Sequence, residues 1–315
     1  MLLQFLFTVA SVFSMASSHS FLVRSSEVTD FNISAAITWA HAVNNRSYLE
    51  SCLASEDLKM IEADIVLGTL TTSQNSTVIP IMGHPPANTS DLSLEHFLSM
   101  VKEHNSNSFY AKGVKLDFKT IEVFEASLSI LQSKWSEIDF PVWINADIVP
   151  GPVNATTIPV DPTRFFEGCA LFDDAVLSIG WTTNFGGSIK KGTYTKGHIQ
   201  SMLNVIEENK PTQKITFPVR AGIAAESLGN MQLLLQSVAN SSLTIWSSEG
   251  DPVNVEHLKT LIMTIGLGSV YIDVPKDLFD QLGLYFGSSK TSPRLPPLPY
   301  ILGLMIICFI NLAVI

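Results

Sequence analysis

Apolar and polar positions along this chain follow two alternating rhythms. Short runs rich in β-branched residues read as strands, and they alternate with longer stretches whose apolar residues recur every three or four positions and read as helices. The strand candidates are AAITWAH (35–41), MIEADIVL (60–67), GVKLDFK (113–119), PVWINADI (141–148), AVLSIGWT (175–182), KITFPVRAG (214–222), LTIWSS (243–248) and SVYIDV (269–274). Between them, Ile121, Phe124, Leu128, Leu131 and Trp135 share one helical face, as do Ile199, Met202, Leu203 and Ile206. A further run, VIPIMGH (78–84), follows the second strand too closely for a crossover helix and predicts a hairpin or inserted strand. Eight β-α units between residues 35 and 274 predict an α/β chain folded as a (β/α)8 TIM barrel, because parallel strands need helical crossovers and eight of them close.

The barrel gives the polar residues inside these runs a place. Glu62 and Asp64, Asp117 and Lys119, and Asn145 and Asp147 are pairs two residues apart, so each pair shares one face of a pleated strand. In a barrel that face is the lumen, and functional groups gather at the carboxyl ends of the strands. His41, His84, Arg220, Trp246 and Asp273 stand at comparable run ends. Glu62, Asp64 and Asp117 form an oxygen-donor set suited to Mg²⁺ or Ca²⁺. Zinc is disfavoured, because no cysteine or closely spaced histidine pair joins them. A structural arrangement stays open beside this one, in which lumen polar groups satisfy one another and Lys119 neutralises an acid. Trp246 fits either packing or substrate contact, whereas Trp39, Trp135 and Trp143 fit packing, and His96, His104, His198 and His257 fit solvated outer helices.

Charge and the chain ends narrow the setting. A formal net charge of −10 over 315 residues, with no Lys/Arg cluster, argues against a nucleic-acid partner. Residues 1–20 read as a cleaved signal peptide, and N-x-S/T acceptors stand at Asn32, Asn45, Asn75, Asn88, Asn154 and Asn240. Residues 21–288 then form one ectodomain. Gly287, Ser288 and Ser289, a proline-rich spacer and an apolar tail to Ile315 form the pattern of a glycosylphosphatidylinositol signal with attachment at Ser288; a short carboxy-terminal membrane anchor is the alternative. Either places the domain on the extracellular face of the plasma membrane. Cys308 leaves with the tail, and Cys52 and Cys169 fall on helices after strands one and four, too far apart on the outer ring for a disulfide.

The stretches ITWAHAVN, MIEADIVL, IMGHPPANTSD, GVKLDFK, PVWINADIVPGP, SIGWTT, ITFPVRAG and LTIWS, in this order, resemble the menorin family of metazoan secreted and membrane-bound proteins. At greater distance the pattern is similar to phospholipase C-like phosphodiesterase barrels, the glycerophosphodiester phosphodiesterases and sphingomyelinase D toxins. His41, Glu62, Asp64, His84 and Asp117 match the pattern of those enzymes, Asp117-Phe118-Lys119 looks like the D-x-K element of the toxin branch, and Trp246 has a similar late-strand position.

The resemblance implies one divalent ion on Glu62, Asp64 and Asp117, a fixed positive charge from Lys119, and His41 and His84 as general base and acid. Two departures stand out: the enzyme HRG is His41-Ala42-Val43, and HD is His84-Pro85. The lost arginine leaves Arg220 and Asn145 as candidates for the phosphate contact, with Asp147 and Trp246 as further substrate contacts. Two functions follow. One is an extracellular metal-dependent phosphodiesterase, or phospholipase D-type lyase, acting on a glycerophosphodiester or phospholipid headgroup. The other is a non-catalytic surface recognition or adhesion protein that binds a partner ectodomain or phosphorylated ligand.

Overall fold

The computed structural model describes residues 34–72 and 77–284. The signal-peptide and anchor readings, with Asn32, Asn75 and Ser288, lie outside the described residues. In chain order the elements are β1 (Trp39–Ala40), α1 (Arg46–Ala54), β2 (Met60–Leu70), β3 (Ile79–Met82), β4 (Thr89–Ser90), α2 (Leu94–Asn107), β5 (Gly113–Phe118) and α3 (Ile121–Trp135). There follow β6 (Val142–Val149), α4 (Pro162–Cys169), β7 (Val176–Trp181), α5 (Lys196–Asn209), β8 (Lys214–Arg220), α6 (Ala221–Ala224), α7 (Leu228–Ser237), β9 (Ser242–Trp246), α8 (Val255–Ile265), β10 (Val270–Asp273) and α9 (Lys276–Leu282). No helix among the described residues is long and apolar enough to cross a membrane.

Eight strands are hydrogen-bonded in parallel in the order β1-β2-β5-β6-β7-β8-β9-β10, which makes the expected (β/α)8 barrel, nearly closed. β3 returns antiparallel along β2, with Met82 opposite Ile65, so the 78–84 run is the hairpin the spacing predicts. Helix α3 begins at Thr120, whose side chain accepts a hydrogen bond from the Val123 amide, and it buries Ile121, Phe124 and Leu131 while Leu128 and Trp135 stay half-buried. Cys52 and Cys169 are buried and free on α1 and α4.

The first strand is shorter than its apolar run. Residues 34–36 coil into a 3₁₀ turn fixed by Ser34 Oγ donating to the Gly268 carbonyl at 2.9 Å, and only Trp39 and Ala40 pair with β2. The ladder stops there because Ala42 adopts a left-handed φ of 54°. No ladder joins β1 to β10, and the seam is spanned instead by His41 Nδ1 donating to Asp273 Oδ2 at 2.9 Å.

Register stacks the lumen side chains in layers. The floor is aromatic: Trp39 packs edge-on against Trp143 at 5.2 Å, and Trp143 against Tyr271 at 4.7 Å, with Met60 beside them. Above it hydroxyls and amides satisfy one another, Thr216 with Thr244 at 2.7 Å and Ser178 Oγ donating to Asn145 Oδ1 at 2.6 Å. The upper layer carries acids, and Gly180 makes room for them. A Cβ at Gly180 would stand 2.5 Å from Asp147 Oδ1 and 2.9 Å from Pro218 Cγ. Overpacking of this kind costs about 1–3 kcal/mol. Gly180→Ala is therefore expected to lower the urea midpoint by a corresponding amount with an unchanged denaturant slope.

Candidate functional site

β2 and β5 bring the acids together. Their register sets Glu62 opposite Lys115 and Asp64 opposite Asp117, and β6 places Asn145 beside Asp117. One carboxylate oxygen from each of Glu62, Asp64 and Asp117 lies within 4.8 Å of the other two. Lys119 stands among them: its Nζ is 2.5 Å from Asp64 Oδ1 and donates to Asp117 Oδ2. Two amides fix the remaining oxygens. Asn44 Nδ2 donates to Asp64 Oδ2 at 2.7 Å while Asn44 Oδ1 accepts from the Asp64 amide, and Asn145 Nδ2 donates to Asp117 Oδ1 at 2.6 Å.

Burial and charge act in opposite directions on these groups. Burial pushes the Asp64 pKa up, but Lys119 outweighs it and holds the carboxyl below its ordinary value. Burial also drives Glu62 upward, and there the opposing charge of His41 does not prevail. Lys119 is raised, since Asp117 and Asp64 overcome the cost of burying it.

The loop after β1 folds over this cluster. The Ala42 amide donates to Glu62 Oε2 at 2.7 Å and the Val43 amide to the Glu62 carbonyl, contacts that hold Ala42 at its positive φ. His41 Nδ1 lies 3.5 Å from Glu62 Oε2 as well as bonding Asp273. Burial lowers the His41 pKa, but the charge of Glu62 and the bond to Asp273 prevail and raise it to about 9. His41 is therefore a cation at neutral pH. His84 lies exposed on the rim just after β3, where the Gly83 amide donates to the Asp64 carbonyl. Its Nδ1 donates to the Pro85 carbonyl at 2.7 Å, leaving the Nε2 lone pair free in the neutral ring.

The other candidates separate into two groups. Asn145 uses both ends of its amide on Ser178 and Asp117, and so orients a ligand carboxylate. Arg220 is clamped by Asp251, Nε to Oδ2 at 2.8 Å and Nη2 to Oδ1 at 2.9 Å, and sits under Trp246 at 4.9 Å and Phe185 at 5.6 Å. Trp246 is thus a lid on a neutralised arginine. Asp147 faces the upper lumen, and burial together with the charge of Asp117 raises its pKa to about 7.

Sequence reading passed over Asn44, Lys115 and Asp251. Lys115 alternates with Asp117 and Lys119 in GVKLDFK, so the two-residue rule already marks it as a lumen residue. Asn44 and Asp251 sit in loops, where no periodicity points inward.

The Menorin N-terminal domain profile matches residues 34–279, nearly all of the described chain. The chain belongs to the menorin family. Its curated relatives include human "Protein FAM151B", 36% identical to this menorin over 239 residues, 76% of this chain and 82% of that protein. Among solved structures, a crystal structure of D-psicose 3-epimerase in the presence of D-fructose is similar at a TM-score of 0.33 and 9% identity, covering 57% of this chain and 79% of that one.

A three-carboxylate set within 4.8 Å suits a hard divalent ion, and in this menorin the ammonium of Lys119 contacts two of the three carboxylates. Breaking a buried ion pair costs about 3–5 kcal/mol, and Lys119 keeps 21% of its side chain exposed, which favours the lower end. Lys119→Met is expected to destabilise the protein by roughly 3 kcal/mol in chelator, with millimolar Mg²⁺ or Ca²⁺ restoring much of the loss in thermal melts; a variant indifferent to both ions argues against the site.

Stability also follows pH with a defined sign. Because His41 rises from 6.5 to about 9, its contribution is complete below pH 6.5 and is lost as pH climbs through 9. Asp147, raised from 3.8 to about 7, favours the fold while protonated and gives a separate decline as pH climbs through 7. Urea denaturation of His41→Gln is expected to lose the upper decline, and that of Asp147→Asn the lower one.

Proposed function

We propose that this menorin is a cell-surface, metal-dependent phosphodiesterase that cleaves a glycerophosphodiester or the headgroup linkage of a phospholipid. The observation that carries the reading is the convergence of Glu62, Asp64 and Asp117 within 4.8 Å at the carboxyl ends of β2 and β5, with His41 and His84 beside them. These carboxylates would hold Mg²⁺ or Ca²⁺, whose chemistry there is to polarise a phosphoryl oxygen. His84, with Nε2 free, accepts the proton of the attacking hydroxyl, and His41, held protonated, gives one to the leaving oxygen. Lys119 adds a fixed positive charge for the developing phosphorane.

Location at the cell surface rests on the amino-terminal signal and the attachment pattern at Ser288, and it is supported by the exposure of all four acceptor asparagines among the described residues, Asn45, Asn88, Asn154 and Asn240. A lipid anchor would keep the barrel mouth near phospholipid headgroups. A second reading is favoured by the Lys119 bridge itself, which satisfies the acids without an ion and suits a barrel that binds a phosphorylated ligand or partner ectodomain without turnover.

The assay that separates them uses glycerophosphocholine and sphingomyelin with Mg²⁺ or Ca²⁺. Turnover that stops in chelator and falls about 10²-fold or more in His41→Ala and in His84→Ala is expected. Activity that survives both substitutions sinks the catalytic assignment, and binding without turnover supports the scaffold.

A further inference from the structure

Lys115 differs from every other cation of the lumen. It is 3% exposed, on the lumen face of β5 between Gly113 and Asp117, opposite Glu62 on β2 and beside Trp143 on β6. Its charge reaches groups on three other segments, opposing protonation of His41 and favouring the ionised forms of Glu62 and Asp147. Yet its Nζ makes no hydrogen bond and no ion pair with any described residue.

Lys119 has Asp64 and Asp117, His41 has Asp273 and Glu62, and Arg220 has Asp251. The protein also contains a satisfied buried lysine for comparison: Lys112, fully buried, donates from Nζ to the carbonyls of Ser55 and Leu58. Lys115 Nζ is not among the fully sealed side-chain atoms without a partner, which in the described residues are Trp39 Nε1, Trp143 Nε1 and Thr182 Oγ1, so it keeps some accessible surface and its donors stay available to an acceptor that enters the lumen.

We propose that Lys115 binds a phosphoryl oxygen of a phosphodiester deep in the lumen, and that this contact forms together with occupation of the Glu62–Asp64–Asp117 cluster by a divalent cation. The proposal rests on the metal-site reading above and assigns the phosphate contact that the missing arginine of the first strand leaves open. Charge makes the two events interdependent. By formal charge, Glu62, Asp64, Asp117 and Asp273 face His41, Lys115 and Lys119, a net excess of one negative charge before Asp147 is counted. That lumen repels an anion. Two added positive charges cancel or reverse the excess, so cation and phosphodiester each favour the binding of the other.

The test is calorimetric titration of the full-length chain with Mg²⁺, with glycerophosphocholine, and with phosphatidylcholine vesicles, each with and without the other component. Wild type is expected to bind the diester at least tenfold more tightly with Mg²⁺ than in chelator. Lys115→Met is expected to lose at least tenfold of diester affinity while binding Mg²⁺ as tightly as wild type or more so, because a like charge has been removed. Lys115→Gln, with a polar tip and no charge, is expected to do the same and serves if the methionine variant melts too low. A soluble diester that couples to Mg²⁺ identifies a free glycerophosphodiester as the source, and coupling confined to vesicles identifies a lipid headgroup; either supports the contact. Mg²⁺ binding with diester affinity unmoved in both variants overturns the role of Lys115 and leaves the metal site standing. Failure of wild type to bind Mg²⁺ overturns the metal site, and this inference with it.

Discussion

The upper half of the barrel depends on the bridge from Lys119 to Asp64 and Asp117. Strand register forces these two carboxylates side by side on adjacent strands, with Glu62 one layer below, in a place where burial penalises every charge. Without a cation between them the acids would have to protonate or separate, and separation would break the β2–β5 ladder. The bridge keeps Asp64 ionised, and Asn44 and Asn145 then fix each carboxylate from its outer side. Asp64 and Asp117 are therefore held in place by a cation and two amides that the fold itself supplies.

The sequence made the framework legible because barrels obey a simple geometric rule. Side chains two apart share a face, so MIEADIVL, GVKLDFK and PVWINADI each announced a lumen pair, and the register joined those pairs as the alternation implied. The hairpin after β2 followed from chain length alone. What the sequence left hidden lies outside periodicity. The partner of Arg220, Asp251, sits in a turn after the next strand, where it also accepts from the Ser248 amide. The short first strand came from one backbone angle at Ala42, imposed by tertiary contacts to Glu62 rather than by local preference.

Lys115 shows a different limit. Its position was readable, but its lack of a hydrogen-bond or ion-pair partner among the described residues emerges only once the neighbouring strands are in register. In sequence, a lysine two residues from an aspartate suggests self-neutralisation. Here Lys119 takes that role on the far side of Asp117, and Lys115, one layer deeper, is left over. The same motif thus supplies one cation that holds two carboxylates and one with no such partner among the described residues.

The aromatic floor carries a consequence of its own. Trp39, Trp143, Tyr271 and Met60 plug the amino-terminal end of the lumen, with the Trp39 and Trp143 indole nitrogens sealed among them. The lumen is closed at that end by rings rather than by charge, so the polar layers above it meet solvent only on the carboxyl-terminal side of the strands.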